Sequence, residues 1–338
     1  MRFVTFLRQA ASETHVHSIP GLHFGPLGTG TLIDLPAAFK WAIQNGTALP
    51  CGIPADMNAL IRNQELTLPV CRKILEAAQG GNLPQSCLVA ETSAQLMSPV
   101  PHPVSMRDGY AFRQHVEAAR RNRGVPMIPE FDHFPIFYFT NHLSVTGPGE
   151  VHVMPQAMDK LDFELEAAVV IGKHGKNIPA SKADEHIFGY MIWNDWSART
   201  LQMEEMKLNL GPAKGKDFAN SLGPYLITRD ELLPHAIPSP NGERHNLRMR
   251  AWVNGVQVSD GNMKDMTWTF AQILERASYG VMLHPGEVIG SGTVGTGCFL
   301  ELNGSKITDN QWIKDGEEVI LEIEGLGRLV NRIVADHE

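Results

Sequence analysis

Acidic side chains that a strand would place side by side are the first chemistry-bearing feature of the sequence. In residues 161–172, polar and apolar residues alternate and then give way to an apolar run, which is typical of a β-strand entering a core. Glu164 and Glu166 would project from the same face, roughly 7 Å apart by strand rise. Such carboxylates repel each other in a core unless a cation lies between them. The alternative is a half-solvated strand whose acidic face meets water.

Two further acids occupy unusual settings in the chain. Asp108 lies in the segment 106–115, and Asp195 lies between Trp193 and Trp196 at the end of an apolar run. An acid flanked by tryptophans is expected to be buried, although a helix N-cap role is an alternative for Asp195. Together with the glutamate pair, these acids would form an all-oxygen site, which favours Mg²⁺, Ca²⁺ or Mn²⁺ over zinc.

Two glycine-rich segments have the composition of nucleotide-binding loops. Residues 290–295 match G-x-G-x-x-G, but residues 296–302 have the pattern of a strand, whereas a dinucleotide site needs a helix at that point. Residues 211–216 are one residue short of a phosphate-binding loop, and Asp217 stands where a magnesium-binding hydroxyl is needed. We therefore predict that neither segment binds a nucleotide.

Composition and charge exclude several classes of partner. The chain has 338 residues, of which 43% are hydrophobic and 20% are charged, as in a globular protein. A net charge of −8 without any block of five basic residues predicts no nucleic-acid partner. The apolar runs are too short to span a membrane, and Arg8 interrupts the first of them. The four cysteines show neither metal-binding nor disulfide-framework spacing, so we predict a cytoplasmic location.

The first hundred residues are predicted to form a small N-terminal domain, residues 1–100. Its pattern predicts a strand over 2–7 and helices over 35–44 and 56–78. The His15 and His17 pair is interpreted as a turn or surface feature. A proline-rich stretch at 97–104 then leads into the second domain, residues 101–338.

The second domain has the pattern of a mainly β (α+β) fold. Its short strand-like runs, separated by glycine and proline, favour a sandwich or roll over a doubly wound sheet. One long helix is predicted over 264–278, ending at Gly280. The predicted strands cover residues 137–140, 151–154, 163–171, 190–194, 225–228, 247–253, 288–289, 299–302, 318–324 and 327–334.

From residue 106 to its C-terminus, the chain resembles the fumarylacetoacetate hydrolase superfamily, with a motif layout closest to that of fumarylacetoacetases. The motifs appear in the family's order and jointly are highly specific. They are Asp108, Tyr110 and His115; Glu164 and Glu166; the block Asn-Asp-Trp-Ser-Ala-Arg at 194–199 with Gln202 and Lys216 after it; and the block Pro-Gly-Glu-x-Ile-x-Ser-Gly-Thr at 285–293.

The resemblance implies a mixed β-sandwich roll, a homodimer and a role for each matched residue. One divalent cation, Mg²⁺ or else Ca²⁺ or Mn²⁺, would be bound by Asp108, Glu164, Glu166 and Asp195. His115 would be the general base, oriented by Glu301. Lys216 and Gln202 would stabilise an oxyanion, and the substrate-contacting positions would be Tyr110, Tyr138 and Thr293. No arginine among Arg120, Arg121 and Arg123 is singled out as the partner of a substrate carboxylate.

The activity that the resemblance implies is hydrolysis of a carbon–carbon bond in a β-diketo acid, such as fumarylacetoacetate or an acylpyruvate, in aromatic catabolism. An alternative with the same metal site is decarboxylation of a β-keto acid such as oxaloacetate, or hydration of an unsaturated keto acid. A second alternative is a non-catalytic sandwich with a structural calcium ion. Cys298 could pair with a histidine as a nucleophile, but a metal site and a water-activating base already account for hydrolysis.

Overall fold

Many short strands and a few helices make up the computed structural model, which describes residues 1–8 and 17–337. The strands are β1 (Arg2–Arg8), β2 (His17–Phe24), β3 (Thr31–Asp34), β4 (Leu88–Ala90), β5 (Gln95–Leu96), β6 (Met106–Gly109), β7 (Phe137–Thr140), β8 (Val145–Thr146), β9 (Gly149–Val153), β10 (Leu161–Asp162), β11 (Leu165–Ile171), β12 (Gly175–Lys176), β13 (Ile187–Asp195), β14 (Ser197–Ala198), β15 (Asn220–Leu222), β16 (Leu226–Thr228), β17 (Ala236–Ile237), β18 (Arg244–His245), β19 (Arg248–Val253), β20 (Val256–Asn262), β21 (Met282–Leu283), β22 (Val288–Gly290), β23 (Glu318–Ile323) and β24 (Gly327–Ala335). The helices are α1 (Leu35–Gln44), α2 (Met57–Arg62), α3 (Gln64–Gln79), α4 (Arg113–Asn122), α5 (Ala180–Ala183), α6 (Arg199–Met206), α7 (Arg229–Leu232), α8 (Phe270–Ser278) and α9 (Phe299–Gly304).

Two sheets dominate the part of the chain that the structure describes. The larger sheet has the strand order β4-β3-β2-β1-β16-β13-β11-β22-β6-β7, with β5, β8 and β15 pairing beside this path. The smaller sheet has the order β20-β19-β23-β24-β9. Because β6, β22, β11 and β13 are neighbours, side chains at the ends of β6, β11 and β13 can converge on one place.

Strand β11 lies in the middle layer of the fold, and its two faces enter different cores. Its side chains alternate, as the period of a strand requires. Ala167, Val169 and Ile171 pack in a core with residues of the smaller sheet, whereas Ala168 and Val170 pack in a core with the helices of the first hundred residues. Both faces of the sheet are therefore covered, and the predicted α+β sandwich roll is confirmed.

The predicted strand over 299–302 is wrong, because these residues begin the helix α9. The first two amide groups of this helix donate to the carboxylate of Asp162, from Phe299 at 2.7 Å and from Leu300 at 3.0 Å. A carboxylate at this position stabilises a helix start, but it is distant in sequence, so a local pattern does not reveal it.

The glycine motif at 290–295 is thus followed by a helix after all, contrary to the prediction. The helix is nevertheless short, and Asp162 already occupies the amide groups that a pyrophosphate would need. The absence of a dinucleotide site stays a prediction, and its physical reason is now the occupation of these amides by Asp162.

Two predicted helices also have different limits. The helix expected over 56–78 is divided at Asn63, which caps the end of α2 and precedes α3. The helix expected from residue 264 begins only at Phe270, where Thr269 and Gln272 form a capping box. Arg244 donates to the carbonyl groups of Met266 and Thr267, which removes those carbonyls from helical hydrogen bonding.

The proposed boundary at residue 100 stays a prediction. Strand β1 pairs with β16, so the larger sheet includes strands from both sides of that boundary. His15 lies outside the described residues, as does the side chain of His17. Among the described residues, the helices are too short or too polar to cross a membrane.

The central position of β13 predicts that its apolar side chains dominate stability. Ile192 is fully buried, so Ile192→Ala should lower the free energy of unfolding by about 2–5 kcal/mol, because the shortened side chain leaves a cavity. Ile307→Ala is the control: this side chain is 63% exposed, and its loss should change stability by less than about 0.5 kcal/mol. Urea denaturation followed by fluorescence measures both values, and equal losses would contradict the assignment of β13 to the core.

Candidate active site

A cavity of about 640 Å³ opens next to the ends of the central strands. Its walls come from β6 and the start of β7, from α4, α6 and α9, and from the segments around residues 212 and 292. Most of the residues predicted for the site lie on its walls, namely Asp108, Tyr110, His115, Tyr138, Glu164, Gln202, Lys216 and Thr293. Glu166, Asp195 and Glu301 lie directly behind them and contact them through hydrogen bonds.

Three of the four predicted ligand carboxylates converge at the floor of this cavity. Asp108, Glu166 and Asp195 each offer one oxygen, and these oxygens lie within 4.8 Å of one another. The backbone amide of Gly292 donates to Asp108 Oδ1 at 3.1 Å and to Glu166 Oε2 at 3.2 Å. The carboxylates come from three strands of one sheet, so the backbone of the sheet sets their spacing.

Asp195 ends β13 with one carboxylate oxygen occupied and the other open. Its Oδ2 accepts hydrogen bonds from the hydroxyl of Tyr138 at 2.7 Å and from the ammonium of Lys216 at 2.6 Å. Its Oδ1 is buried and has no hydrogen-bond partner among the described residues. The N-cap alternative for Asp195 is wrong, because the N-cap of α6 is Ala198.

Burial and mutual repulsion raise the pKa values of these acids. Burial, followed by the charge of Asp195, raises the pKa of Asp108 to about 7. Burial and the neighbouring Asp108 raise the pKa of Glu166 well above its usual value, and burial raises the pKa of Asp195 despite the opposing effect of Lys216. The three acids offer only oxygen atoms, their pKa values are raised, and one oxygen of Asp195 has no hydrogen-bond partner among the described residues. Such a group of oxygens fits a hard divalent cation.

Glu164 has a different electrostatic environment from the other three acids. Its Oε1 accepts a hydrogen bond from Arg199 at 2.7 Å, and its Oε2 is paired with the ammonium of Lys216. Burial by itself would raise the pKa of Glu164, but these two cations hold the pKa well below its usual value. Glu164 is therefore ionised and tied to cations, and its role as a fourth metal ligand stays a prediction.

The half-solvated alternative for the glutamate pair is wrong. Glu164 is 5% exposed and Glu166 is fully buried. The regular strand pairing stops between Asp162 and Leu165, so Glu164 lies in a short break between β10 and β11. The strand predicted over 163–171 therefore begins only at Leu165, and Glu164 precedes it.

Arg199 is a candidate site residue to which the sequence pattern assigned no role, although it ends the block at 194–199. It donates to Asp162 at 2.8 Å, to Glu164 at 2.7 Å and to Gln202 at 3.0 Å, and it is only 3% exposed. A signal was present in the sequence: Asp162 and Glu164 alternate onto one face, and two buried acids on one face require a cation.

His115 and Glu301 form a buried pair at the side of the cavity. His115 Nδ1 lies 2.6 Å from Glu301 Oε2, and Glu301 Oε1 accepts the backbone amide of Thr296 at 3.0 Å. His115 belongs to α4 and is 7% exposed, so the alternative of a surface histidine is wrong. The carboxylate holds the ring so that Nε2 is the nitrogen left to accept a proton.

Cys298 lies close to this pair but lacks the properties of a nucleophile. One ligand atom each of His115, Glu164 and Cys298 lies within 4.8 Å of the others. Burial, and then the charge of Asp162, raises the pKa of the Cys298 thiol well above its usual value. A neutral thiol at this position does not supply the thiolate that nucleophilic catalysis requires.

The predicted substrate-contacting residues surround the acids and the histidine. The ring of Tyr110 packs edge-on against His115 with centroids 6.0 Å apart, and Thr293 donates to Glu166 Oε1 at 3.4 Å. Burial raises the pKa of Tyr138 well above its usual value, so its hydroxyl keeps its proton. Of the three candidate arginines, Arg123 is the one that lines the cavity.

Comparison with known proteins gives consistent matches. The family model for the fumarylacetoacetate (FAA) hydrolase C-terminal region matches residues 105–334. Human mitochondrial oxaloacetate tautomerase FAHD2A is 32% identical over 307 residues, covering 90% of this chain and 88% of that protein. A fumarylacetoacetase of Oryza sativa subsp. japonica is 30% identical over 295 residues, covering 71% of this chain and 68% of that protein.

A solved structure shows the same fold. The fumarylacetoacetate hydrolase from the psychrophile Exiguobacterium antarcticum superposes with a TM-score of 0.69 at 22% identity. The superposition covers 99% of this chain and 100% of that one. The two chains therefore share a fold.

The raised pKa of Asp108 predicts a pH-dependent affinity for divalent cations. Below a pH of about 7 the Asp108 carboxyl holds a proton that must leave before an oxygen can bind a cation, so affinity for Mg²⁺ should fall as pH decreases. Calorimetric titration in two buffers of different ionisation enthalpy measures the affinity and the number of protons released. The exposed acid variant Glu150→Gln is the control and should keep the same pH dependence. Affinity that is constant from about pH 6 to about pH 8, without proton release, would contradict this assignment.

Proposed function

The chain belongs to the fumarylacetoacetate hydrolase family, and on that premise we propose that it is a metal-dependent hydrolase of β-diketo acids. Its reaction would cleave the carbon–carbon bond next to a carbonyl group in an acylpyruvate-like or fumarylacetoacetate-like acid, as a step in aromatic catabolism. The observation that carries this proposal is the His115–Glu301 pair, at 2.6 Å, beside a floor of three converging carboxylates.

The carboxylate floor would hold the cofactor. Asp108, Glu166 and Asp195, with Glu164 beside them, are the proposed ligands of one divalent cation, for which Mg²⁺ is the first choice and Ca²⁺ or Mn²⁺ the alternatives. When bound, this cation supplies a Lewis acid that polarises the oxo groups of the substrate. The side chain of Tyr138 and the amide of Gly292 keep the carboxylates in position through their hydrogen bonds.

His115 would act as the general base on water. Its Nε2 takes a proton from a water molecule, while the water oxygen forms a bond to the attacked carbonyl carbon. Glu301 fixes the ring orientation and stabilises the imidazolium that results, and the amide of Thr296 fixes Glu301 in turn. The base is therefore held by contacts outside the carboxylate floor.

Charged and polar donors on the cavity wall would stabilise the developing negative charge. Lys216 and Gln202 both line the cavity, and Arg199 positions Gln202 through a hydrogen bond to its side-chain oxygen. Asp195 and Glu164 keep Lys216 protonated, since burial alone would lower the pKa of Lys216 and these charges raise it above its usual value. An ammonium group aimed at an oxyanion is worth about 3 kcal/mol of barrier.

The carbon–carbon bond breaks when the tetrahedral oxyanion collapses to a carboxylic acid. The electron pair of that bond passes to the leaving carbon, which becomes an enolate and then takes a proton. Tyr110, Tyr138 and Thr293 lie on the cavity wall and would contact the substrate during this step. Arg123, on the same wall, is the proposed partner of the substrate carboxylate, because Arg199 is already paired with acids.

Chemistry on an oxaloacetate-like β-keto acid is the second candidate. The similarity to a protein named oxaloacetate tautomerase favours it. Decarboxylation, tautomerisation or hydration on the same carboxylate floor would also use the proposed cation. Decarboxylation needs no activated water, however, so it would leave the buried His115–Glu301 pair without a function. A cavity of about 640 Å³ is also large for a four-carbon acid.

The oligomeric state, the cellular location and the absence of other partners are further parts of this proposal. Homodimer formation is expected from the family resemblance, and size-exclusion chromatography with light scattering would test it. A cytoplasmic location and the absence of nucleic-acid and membrane partners stay predictions. The non-catalytic calcium alternative is disfavoured, because it requires that no histidine lies beside the ion site and His115 lies within 4.8 Å of Glu164.

Removal of the base should separate catalysis from metal binding. His115→Ala should lower kcat for acylpyruvate hydrolysis by about 10²–10⁴-fold, because water loses its proton acceptor. Affinity for Mg²⁺, measured by calorimetry, should stay within about twofold of the wild-type value, since no floor carboxylate changes. Loss of Mg²⁺ binding in this variant would show that the role of His115 has been misassigned.

The orienting carboxylate should affect turnover more than binding. Glu301→Gln keeps the shape of the side chain but removes the charge that stabilises the imidazolium, so kcat should fall and KM should change less. Steady-state kinetics with acetylpyruvate measures both parameters. A large increase in KM at constant kcat would point instead to a binding role for Glu301.

A further inference from the structure

Helix α6 presents one continuous face to the cavity, from its floor to its mouth. Arg199, Gln202, Met203 and Met206 all line the cavity, and their spacing of three, four and seven residues places them on the same side of a helix. This face extends over about 10 Å along the helix axis. Arg199 at the inner end is 3% exposed, whereas Met206 at the outer end is 44% exposed. The lining therefore changes from charged to apolar as the helix approaches solvent.

Apolar side chains from other segments extend the outer part of this wall. Leu300, from α9, and Trp312 both line the same cavity, as does Pro212 after the end of α6. Leu300 directly precedes Glu301, so the orienting carboxylate and the apolar wall share one helix. We call Met203, Met206, Leu300 and Trp312 the outer wall.

Cations are distributed unevenly around the cavity. Among the described lining residues, the cations are Arg123, Arg199 and Lys216. Arg199 and Lys216 lie at the floor and are paired with Asp162, Glu164 and Asp195. Arg123 follows the end of α4, and the four outer-wall residues are uncharged. The ammonium of Lys160 lies 6.0 Å from the centroid of the Trp312 ring, but Lys160 is exposed and does not line the cavity. A substrate carboxylate against the outer wall would therefore lose water without meeting a cation among the wall's own side chains, which is unfavourable.

We infer that the outer wall is a subsite for an uncharged hydrocarbon tail. This inference rests on the proposed function and specifies its substrate class: a β-diketo acid with one carboxylate at its head and an apolar acyl or aryl group at the other end. Methionine side chains are flexible and polarisable, so Met203 and Met206 adapt to tails of different shape. The cavity volume of about 640 Å³ is within the range that holds a ligand with such a tail.

The test uses ligands that the proposed hydrolysis cannot cleave. The wild-type chain with Mg²⁺ is titrated calorimetrically with straight-chain 2-oxo acids from pyruvate to 2-oxooctanoate, and with the dicarboxylate 2-oxoadipate. Affinity should rise by about two- to fourfold for each added methylene, as expected for partial burial of hydrocarbon. 2-Oxoadipate should bind more weakly than 2-oxohexanoate, which has the same chain length. A flat series, or tighter binding of the dicarboxylate, would overturn the inference.

Variants assign the effect to the outer wall. The double variant Met203→Gln/Met206→Gln keeps side-chain length but adds polar groups, and it should reduce the gain for each methylene to less than about 1.5-fold. Met203→Leu/Met206→Leu should retain the wild-type gain, and so should Leu208→Gln, a side chain that is 80% exposed and outside the cavity lining. A full gain in the glutamine variant would overturn the inference.

Turnover of acylpyruvates, measured separately, distinguishes failure of the inference from failure of the proposed function. If no acylpyruvate is cleaved but affinity rises with chain length, the proposed function fails and the subsite stands. If acylpyruvates are cleaved but affinity does not depend on the tail, the proposed function stands and the subsite fails.

Discussion

Charge balance in a water-poor interior is the constraint on which this structure depends. Asp108, Glu166 and Asp195 place three carboxyl groups within a few ångströms of one another, and Glu164 adds a fourth nearby. Isolated buried charges are costly, so each acid requires a proton, a hydrogen-bond donor or a cation. The four acids meet this requirement in two ways. Glu164 is paired with cations, whereas Asp108, Glu166 and Asp195 have raised pKa values and include one oxygen without a hydrogen-bond partner. A divalent cation would therefore be stabilised most strongly beside Asp108, Glu166 and Asp195, because these acids are not already paired with a cation to the extent that Glu164 is.

The same balance connects the carboxylate floor to His115, the proposed base. Asp162 accepts hydrogen bonds from Arg199 and from the first two amide groups of α9, and α9 carries Glu301. Glu301 in turn orients His115. The position of His115 therefore depends on a buried carboxylate, Asp162, that does not line the cavity. Hydrogen bonds lead from Glu164 through Arg199 and Asp162 to the start of α9, and the same helix carries Glu301, which contacts His115. The two halves of the site are therefore connected through one short helix.

The sequence predicted the features of the site that depend on residues close together in the chain. The acids around Glu164 and the tryptophans around Asp195 predicted a buried acidic site, and Glu164, Glu166 and Asp195 are all buried. The strand predicted at Glu164 begins only at Leu165. Local patterns failed where a distant residue decides the conformation. The backbone amides of Phe299 and Leu300 donate to Asp162 at the start of a helix where the local pattern predicted a strand. Arg244 donates to the carbonyl of Met266, just before the observed start of α8. The role of Arg199 was missed for the same reason, since its partners precede it by more than thirty residues.

The single face of α6 has a consequence for how enzymes of this architecture can diversify. Its inner turn carries Arg199, whose replacement would disturb two buried ion pairs, while its outer turn carries Met206, which is nearly half exposed. Substitution at the outer turn is therefore inexpensive in stability and leaves the reactive centre undisturbed. Directed evolution aimed at new substrates can be confined to a small library at that end of the helix, with the inner end left unchanged.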